Sequence, residues 1–276
     1  MLSLRLHTNC CPKFGNRLMT YELHNLSTGY YGRRKTHVVA HAISARLEEG
    51  CLTCLLGPNG AGKSTLLRTL ANFQPALEGR LLLDGKRLES YSSKEIAQRI
   101  GVVLTERPNV GDMTVEELVA MGRSPYTGFW GGLQAEDRAA VDEAIGLAGI
   151  ESLRRRRVQS LSDGERQKTM IAKVLAQQTP IVFLDEPTAF LDFPSKAEML
   201  ILLRRLAHEM QKTIFLSTHD IEMALQTADL LWLLDKGSLE IGTPQALAED
   251  GALSRFFSGP EIRFDASNLR FHIHTS

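Results

Sequence analysis

Gly57-Pro58-Asn59-Gly60-Ala61-Gly62-Lys63-Ser64-Thr65 carries the spacing GxxxxGK[ST]. The apolar run Leu52–Leu56 precedes it, and residues 64–73 follow with Leu66, Leu67, Leu70 and Phe73 on one side of a helix. A strand that turns through glycines into a helix is the setting this spacing requires. The glycines let the backbone curl until its N–H groups face inward, and the helix N-terminus adds partial positive charge. A cradle of this kind suits phosphate. Lys63 is then placed to bridge the outer phosphates of a nucleotide, and Ser64 to hold Mg²⁺ through its hydroxyl.

A second apolar run ends in acids: Ile181-Val182-Phe183-Leu184-Asp185-Glu186. Side chains alternate along a strand, so the two carboxylates fall on opposite sides of its end and do different work. Asp185 is expected in the Mg²⁺ shell. Glu186 is expected to face the γ-phosphate and polarise the attacking water, a task worth roughly 10²–10⁴ in rate. His219, in Ser217-Thr218-His219-Asp220, follows another strand-like run. It is expected either to donate to the γ-phosphate or to hold Glu186 in place.

Strand-like and helix-like segments alternate outward from these motifs. Residues 80–83 with Asp84-Gly85 read as a strand and tight turn. Residues 100–104, 181–184, 213–217 and 230–234 read as strands, and 164–178 as a helix. Residues 114–122 read as a helix opened by a capping box of Thr114 and Glu117. This alternation predicts an α/β fold with a mainly parallel sheet covered by helices. Residues 105–161 show helical patterns and few strand signals, so they read as a helical insertion. Residues 1–18 lack a period and read as a disordered extension before a domain spanning 19–245. Thr243-Pro244 reads as the cap and first turn of a helix leading into a C-terminal tail, residues 246–276, that ends in a polar stretch.

Bulk properties narrow the function. The 276 residues include 32 basic and 32 acidic side chains and are 43% hydrophobic. A protein gripping nucleic acid is expected to show a basic excess, so no nucleic-acid partner is expected. No apolar run approaches the roughly 18–20 residues that span a bilayer, so a membrane role requires a partner that crosses. Cys51 and Cys54 lie in an apolar run and read as buried, reduced thiols, which fits the cytoplasm. The run Arg154-Arg155-Arg156-Arg157 reads as a solvated turn.

Leu161-Ser162-Asp163-Gly164-Glu165-Arg166-Gln167 resembles the LSGGQ signature of ABC ATPases. The order of motifs matches that family: phosphate loop, helical insertion, signature, acidic strand, Ala189-Phe190-Leu191-Asp192, then His219. The resemblance implies a P-loop NTPase (RecA-like) core with an antiparallel β subdomain and a helical insertion subdomain. It also implies ATP and Mg²⁺ as ligands and a head-to-tail dimer with a second copy. In that dimer Ser162 and Gly164 of one copy cap ATP on the other, and Asp192 communicates across the interface. Lys63, Glu186 and His219 become the catalytic residues, and Gly57, Pro58, Asn59, Gly60, Ala61, Gly62, Ser64 and Thr65 the rest of the nucleotide loop. Tyr30 or Tyr31 lies where the family places an adenine-stacking aromatic, with Tyr30 the better fit after Gly29. Ser162 with Glu165 also reads as a capping box, a use of the same hydroxyl expected in the free subunit.

Two positions depart from the family pattern. Glu106 stands where a metal-binding glutamine is usual, which adds a negative charge that Mg²⁺ must offset. Asp163 stands where glycine is usual, with Arg166 one turn on to compensate. The stretch Met121-Gly122-Arg123-Ser124-Pro125-Tyr126-Thr127-Gly128-Phe129 resembles a segment of the motors of iron–siderophore, haem and cobalamin importers. It reads as a surface facing an integral-membrane permease. The resemblance implies a peripheral protein on the cytoplasmic face of the inner membrane, served indirectly by a periplasmic or lipoprotein substrate-binding protein. A non-transport ABC ATPase of a soluble assembly or nucleic-acid complex is the rival reading.

Overall fold

A computed structural model describes residues 19–32, 36–105, 110–127, 132–257 and 262–273. The expected extension at 1–18, the proposed metal ligand Glu106, and Gly128-Phe129 lie outside the described residues. In chain order the first half runs β1 (Tyr21–Tyr31), β2 (Thr36–Leu47), β3 (Leu52–Leu56), α1 (Lys63–Leu70), β4 (Glu78–Leu83), β5 (Lys86–Arg87), α2 (Ser93–Ala97), β6 (Ile100–Val103), α3 (Val115–Ala120) and α4 (Ala135–Leu147). The second half runs α5 (Asp163–Ala176), β7 (Ile181–Asp185), α6 (Phe193–Met210), β8 (Thr213–Ser217), α7 (Ile221–Thr227), β9 (Leu230–Asp235), β10 (Ser238–Gly242), α8 (Pro244–Glu249), α9 (Ala252–Phe256), β11 (Ile262–Asp265) and β12 (Arg270–Ile273).

The central sheet has the order β10-β9-β3-β8-β7-β6. Its strands are parallel except β10, which returns antiparallel beside β9 through a turn at Lys236 (φ 45°) and Gly237 (φ 81°). A second sheet, β2-β1-β4-β5, is antiparallel throughout. The mainly parallel core and the antiparallel sheet agree with the fold class read from the sequence. The turn at Asp84-Gly85 has φ of 51° and 74°, a left-handed pair that matches the twist of the strands it joins.

Alternation along the central strands splits the core in two. Leu52, Cys54, Leu56, Val182, Leu184, Ile214, Leu216, Leu231 and Leu233 face the helices α3 to α9. Leu55, Ile181, Phe183, Phe215, Trp232 and Leu234 face α1 and the antiparallel sheet. Tyr21, Phe183, Phe215 and Trp232 form a chain of edge-to-face rings with centroids 5.9, 5.9 and 5.0 Å apart. Each fully buried Leu or Phe contributes roughly 1.5–3 kcal/mol. Both faces of these strands are therefore apolar apart from Thr53 inside β3, and their other polar side chains lie at the ends.

Local signals set several boundaries. Thr114 and Glu117 form the expected capping box at α3. The helix after the phosphate loop stops earlier than its apolar spacing suggests. Phe73 N donates to Arg68 O and Asn72 N to Thr69 O, with Asn72 at φ 60°, a Schellman-type end. Phe73 is thus 60% exposed and not part of the buried side formed by Leu66, Leu67 and Leu70. Cys54 is a buried free thiol whose ionisation is pushed far up by burial and then by Asp229. Cys51 is buried as read, at 1% exposed. The tail opens helically as read, with Thr243 capping α8, and beyond it, where the sequence shows little pattern, α9 and the β11–β12 hairpin form, with Phe256, Phe257, Phe264 and Phe271 packed ring to ring.

Candidate functional site

The phosphate loop leaves β3 at the edge of the apolar core and enters α1 at Gly62, its N-cap. Gly62 has φ 94°, and a Cβ there would lie 1.6 Å from Val39 Cγ1, so glycine is needed both for the backbone and for room. Lys63 is 5% exposed. Its Nζ donates to Gly57 O at 2.8 Å and Pro58 O at 3.3 Å, and meets His219 Nδ1 at 3.4 Å. The ammonium therefore sits across the mouth of the loop. Burial lowers its proton affinity, while Glu186 and Asp185 pull it back up.

β7 delivers both acids beside this loop. Asp185 is 3% exposed, and its Oδ1 accepts from Ser64 Oγ at 3.0 Å and from Ser217 Oγ at 2.7 Å. Glu186 lies one residue past the strand with φ 51°, an uncommon backbone for a side-chain-bearing residue. Its N–H donates to Ser217 O at 3.2 Å and Ser217 Oγ at 3.0 Å, which holds that backbone. Glu186 Oε1 is 2.6 Å from His219 Nε2. The tautomer of His219 follows from its neighbours: Lys63 can only donate, so Nδ1 accepts, and Nε2 carries the proton toward Glu186. Glu186, His219 and Lys63, sought from three separate motifs, thus form one connected set.

The donor set around Asp185 fits Mg²⁺. A serine hydroxyl and a carboxylate oxygen 3.0 Å apart are hard oxygen ligands, and Mg²⁺ is usually held by one or two carboxylates together with phosphate oxygens. Sequence reasoning passed over two supports of this arrangement. Ser217 bridges Asp185 and the Glu186 backbone, and Thr105 Oγ1 donates to Asp185 O at 2.8 Å. Their signal was position alone, a hydroxyl just at or after a strand end.

The remaining motif residues lie apart from this set. Ser162 caps α5, accepting from Glu165 N at 3.3 Å while its own N–H donates to Glu165 Oε2 at 2.9 Å. Gly164 lies beside Ser195 and Leu191. Asp192 caps α6 by accepting from Ser195 N at 3.1 Å, and this hydrogen bonding holds its carboxyl below the usual range. No hydrogen bond or ion pair among the described residues joins Ser162 or Gly164 to the phosphate loop. Asp163 and Arg166 approach to 3.6 Å on a partly exposed surface, a weak compensation. Tyr30 is 54% exposed and stacks on His37 with centroids 5.1 Å apart, while Tyr31 is more exposed still.

One surface reading changes in part. Gly122 and Arg123 are buried, although their stretch reads as a partner-facing surface. A Cβ on Gly122 would lie 2.1 Å from Lys173 O. Arg123 donates to Asp137 Oδ1, Ala176 O and Gln178 Oε1 at 2.8–2.9 Å and lies over the Tyr126 ring at 4.0 Å. Only Met121, Ser124 and Tyr126 of this stretch are exposed among its described residues. The arginine run is a solvated turn as read, with Arg155, Arg156 and Arg157 exposed, and surface ion pairs tie Arg154 to Glu116 and Asp142 and Arg156 to Glu165.

A phosphate loop, a buried carboxylate that meets its serine, and a glutamate–histidine pair define a P-loop ATPase cassette. The family model described as ABC transporter matches residues 40–189. The chain is 38% identical over 228 residues to the ferric enterobactin transport ATP-binding protein FepC of Escherichia coli strain K12, covering 82% of this chain and 83% of that protein. It is 39% identical over 204 residues to the petrobactin import ATP-binding protein FpuC of Bacillus anthracis, covering 74% and 75%. Among solved structures, one described as a metal-chelate type ABC transporter in an inward-facing conformation matches with TM-score 0.74 and 25% identity, over 93% of this chain and 96% of that one. CbiO1 of Clostridium perfringens, part of an ABC transporter complex, matches with TM-score 0.74 and 28% identity, over 87% and 94%. The chain belongs to the ABC transporter family and is an ATP-binding, ATP-hydrolysing subunit.

Proposed function

We propose that this ATPase is the motor of an importer for an iron chelate such as a siderophore, with haem and cobalamin as neighbouring cargo classes. The carrying observation is the connected set Lys63, Glu186 and His219 beside the Ser64–Asp185 pair, in a chain whose relatives FepC and FpuC are named for siderophore transport. The residues from Gly57 to Thr65 cradle the phosphates of ATP, and Lys63 bridges the outer ones. Ser64 and Asp185, with Glu106, hold Mg²⁺, which supplies charge neutralisation on the phosphates. Glu186 orients the attacking water and His219 holds Glu186 and faces the γ-phosphate.

Two copies close head to tail, so that Ser162 and Gly164 of one cover ATP on the other and Asp192 lies at the interface. Ser162 then exchanges its capping bond for the γ-phosphate. Closure moves a membrane permease docked through the helical insertion, and hydrolysis resets it. Among the described residues no helix is long and apolar enough to cross a membrane, which is why the crossing chain is a partner. A peripheral place on the cytoplasmic face and a substrate-binding protein on the far side follow from this scheme.

Tyr30 supplies the face for adenine. Tyr30→Ala is expected to weaken ATP about tenfold, the size of one base-stacking contact. Titration with a fluorescent ATP analogue measures this, and unchanged affinity assigns the contact elsewhere. The importer reading is tested by gently solubilising native membranes that carry a tagged chain. Copurification of a polytopic permease is expected. A soluble complex or nucleic acid in its place overturns the transport role and leaves the ATPase standing.

A further inference from the structure

Two helices start at the edge of the hydrolytic set. α6 begins at Asp192, and α7 begins at Asp220, the residue directly after His219. Lys196, in the first turn of α6, donates from Nζ to Asp220 Oδ2 at 2.9 Å. The two side chains are largely shielded, at 29% and 25% exposure. Lys196 N also donates to Asp192 O at 3.0 Å, so the lysine is fastened to the Asp192 turn. On the other side, Asp220 N donates to Thr218 Oγ1 at 3.0 Å, and Ala224 N to Asp220 O at 3.0 Å. The segment bearing His219 is therefore stiff. Contacts run without a gap from Asp192 through Lys196 and Asp220 to His219 and Glu186. A cleft of about 580 Å³ opens beside them, lined in part by Ala189, Thr218, Ile221, Phe257 and Phe271. That cleft lies between the turn after Glu186 and the segment after His219, and the Lys196–Asp220 ion pair joins the helices that follow them, beside the apolar packing of α6 on α7.

We propose that Lys196 is a positioning residue for ATP hydrolysis: through Asp220 it holds His219 against Glu186 and ties that contact to the Asp192 turn. The inference rests on the reading of Glu186 and His219 as the hydrolytic pair. An exposed ion pair contributes little, but one that aims a catalytic group acts through geometry, where about 1 Å of misplacement costs on the order of 10²-fold in rate. Lys196→Met keeps the length and apolar stem and removes the charge. Lys196→Arg keeps the charge. Neither side chain touches the phosphate loop.

The test is steady-state ATP hydrolysis by the full chain. Lys196→Met is expected to lower kcat by about 10–100-fold with KM for ATP held within about twofold, the pattern of a lost transition-state interaction. Lys196→Arg is expected to restore most of the rate. In a Glu186→Gln background, Lys196→Met is expected to assemble with ATP to the same size by gel filtration, placing the defect after dimer closure. An unimpaired kcat in Lys196→Met, a loss that Lys196→Arg fails to repair, or a lost ATP dimer each overturns the positioning role. Glu186→Gln measured alongside separates the two readings: undiminished hydrolysis there overturns the hydrolytic pair itself. An inactive Glu186→Gln beside a normal Lys196→Met overturns the positioning role alone.

Discussion

Glu186→Gln is expected to lower kcat by about two to four orders of magnitude while leaving ATP binding intact. The amide keeps the size of the side chain and can still meet His219, so the backbone held by Ser217 at 3.0 and 3.2 Å has no reason to move. What is lost is the carboxylate that orients and polarises water. Asp185 cannot substitute, because its Oδ1 already accepts from Ser64 and Ser217 on the other side of the strand end. Single-turnover hydrolysis and nucleotide binding, measured on the same preparation, check the split. A kcat within a few-fold of the parent assigns the base elsewhere. A parallel fall in affinity shows instead that the loop was disturbed.

Arg123→Met is expected to lower the thermal midpoint by about 10 °C, the other large effect. Arg123 is 5% exposed and serves three acceptors on two different helical segments, with Tyr126 over its guanidinium. Methionine fills the space but leaves the carboxylate of Asp137, the Ala176 carbonyl and the Gln178 amide oxygen without that donor. Removing one partner of a buried pair costs more than the pair itself contributes. Lysine is a poor replacement, since one ammonium cannot reproduce the planar fork. A midpoint within a degree or two of the parent would show that Arg123 contributes charge at the surface and not cohesion.

The same pair makes an acid-side statement. The Gln134 N–H first, and then Arg123, hold the Asp137 carboxyl below its ordinary range. A carboxyl with a depressed folded value binds fewer protons than its unfolded form. Its contribution is therefore complete above the ordinary aspartate range and is lost as pH falls through the folded titration. Unfolding curves at falling pH are expected to converge for the parent and Arg123→Met.

Much of the site is legible locally. The phosphate loop, the strand ending in Asp185-Glu186 and the Ser162–Glu165 cap are each written within a few consecutive residues. Their geometry follows from φ preferences, strand alternation and helix-end hydrogen bonds, all of which act over four residues or fewer. The parallel pairing of β3, β8 and β7 then places the phosphate loop and Asp185-Glu186 at one edge of the sheet, while the Ser162–Glu165 cap stays on α5. The same local reasoning overran at Phe73, where the helix end at Asn72 took precedence over apolar spacing.

What the sequence by itself determined is which chemistry the chain carries: a phosphate cradle, metal-type oxygen donors and a base at a strand end. Only the tertiary structure decided how these are held and which polar residues are structural. Arg123 meets partners 14, 53 and 55 residues away, Lys196 meets Asp220 from another helix, and Lys63 meets His219 across 156 residues. An arginine beside a Pro-Tyr pair reads the same whether it faces a partner or the interior. Burial and hydrogen-bond partnership arise from the approach of distant segments, a quantity that local spacing does not contain.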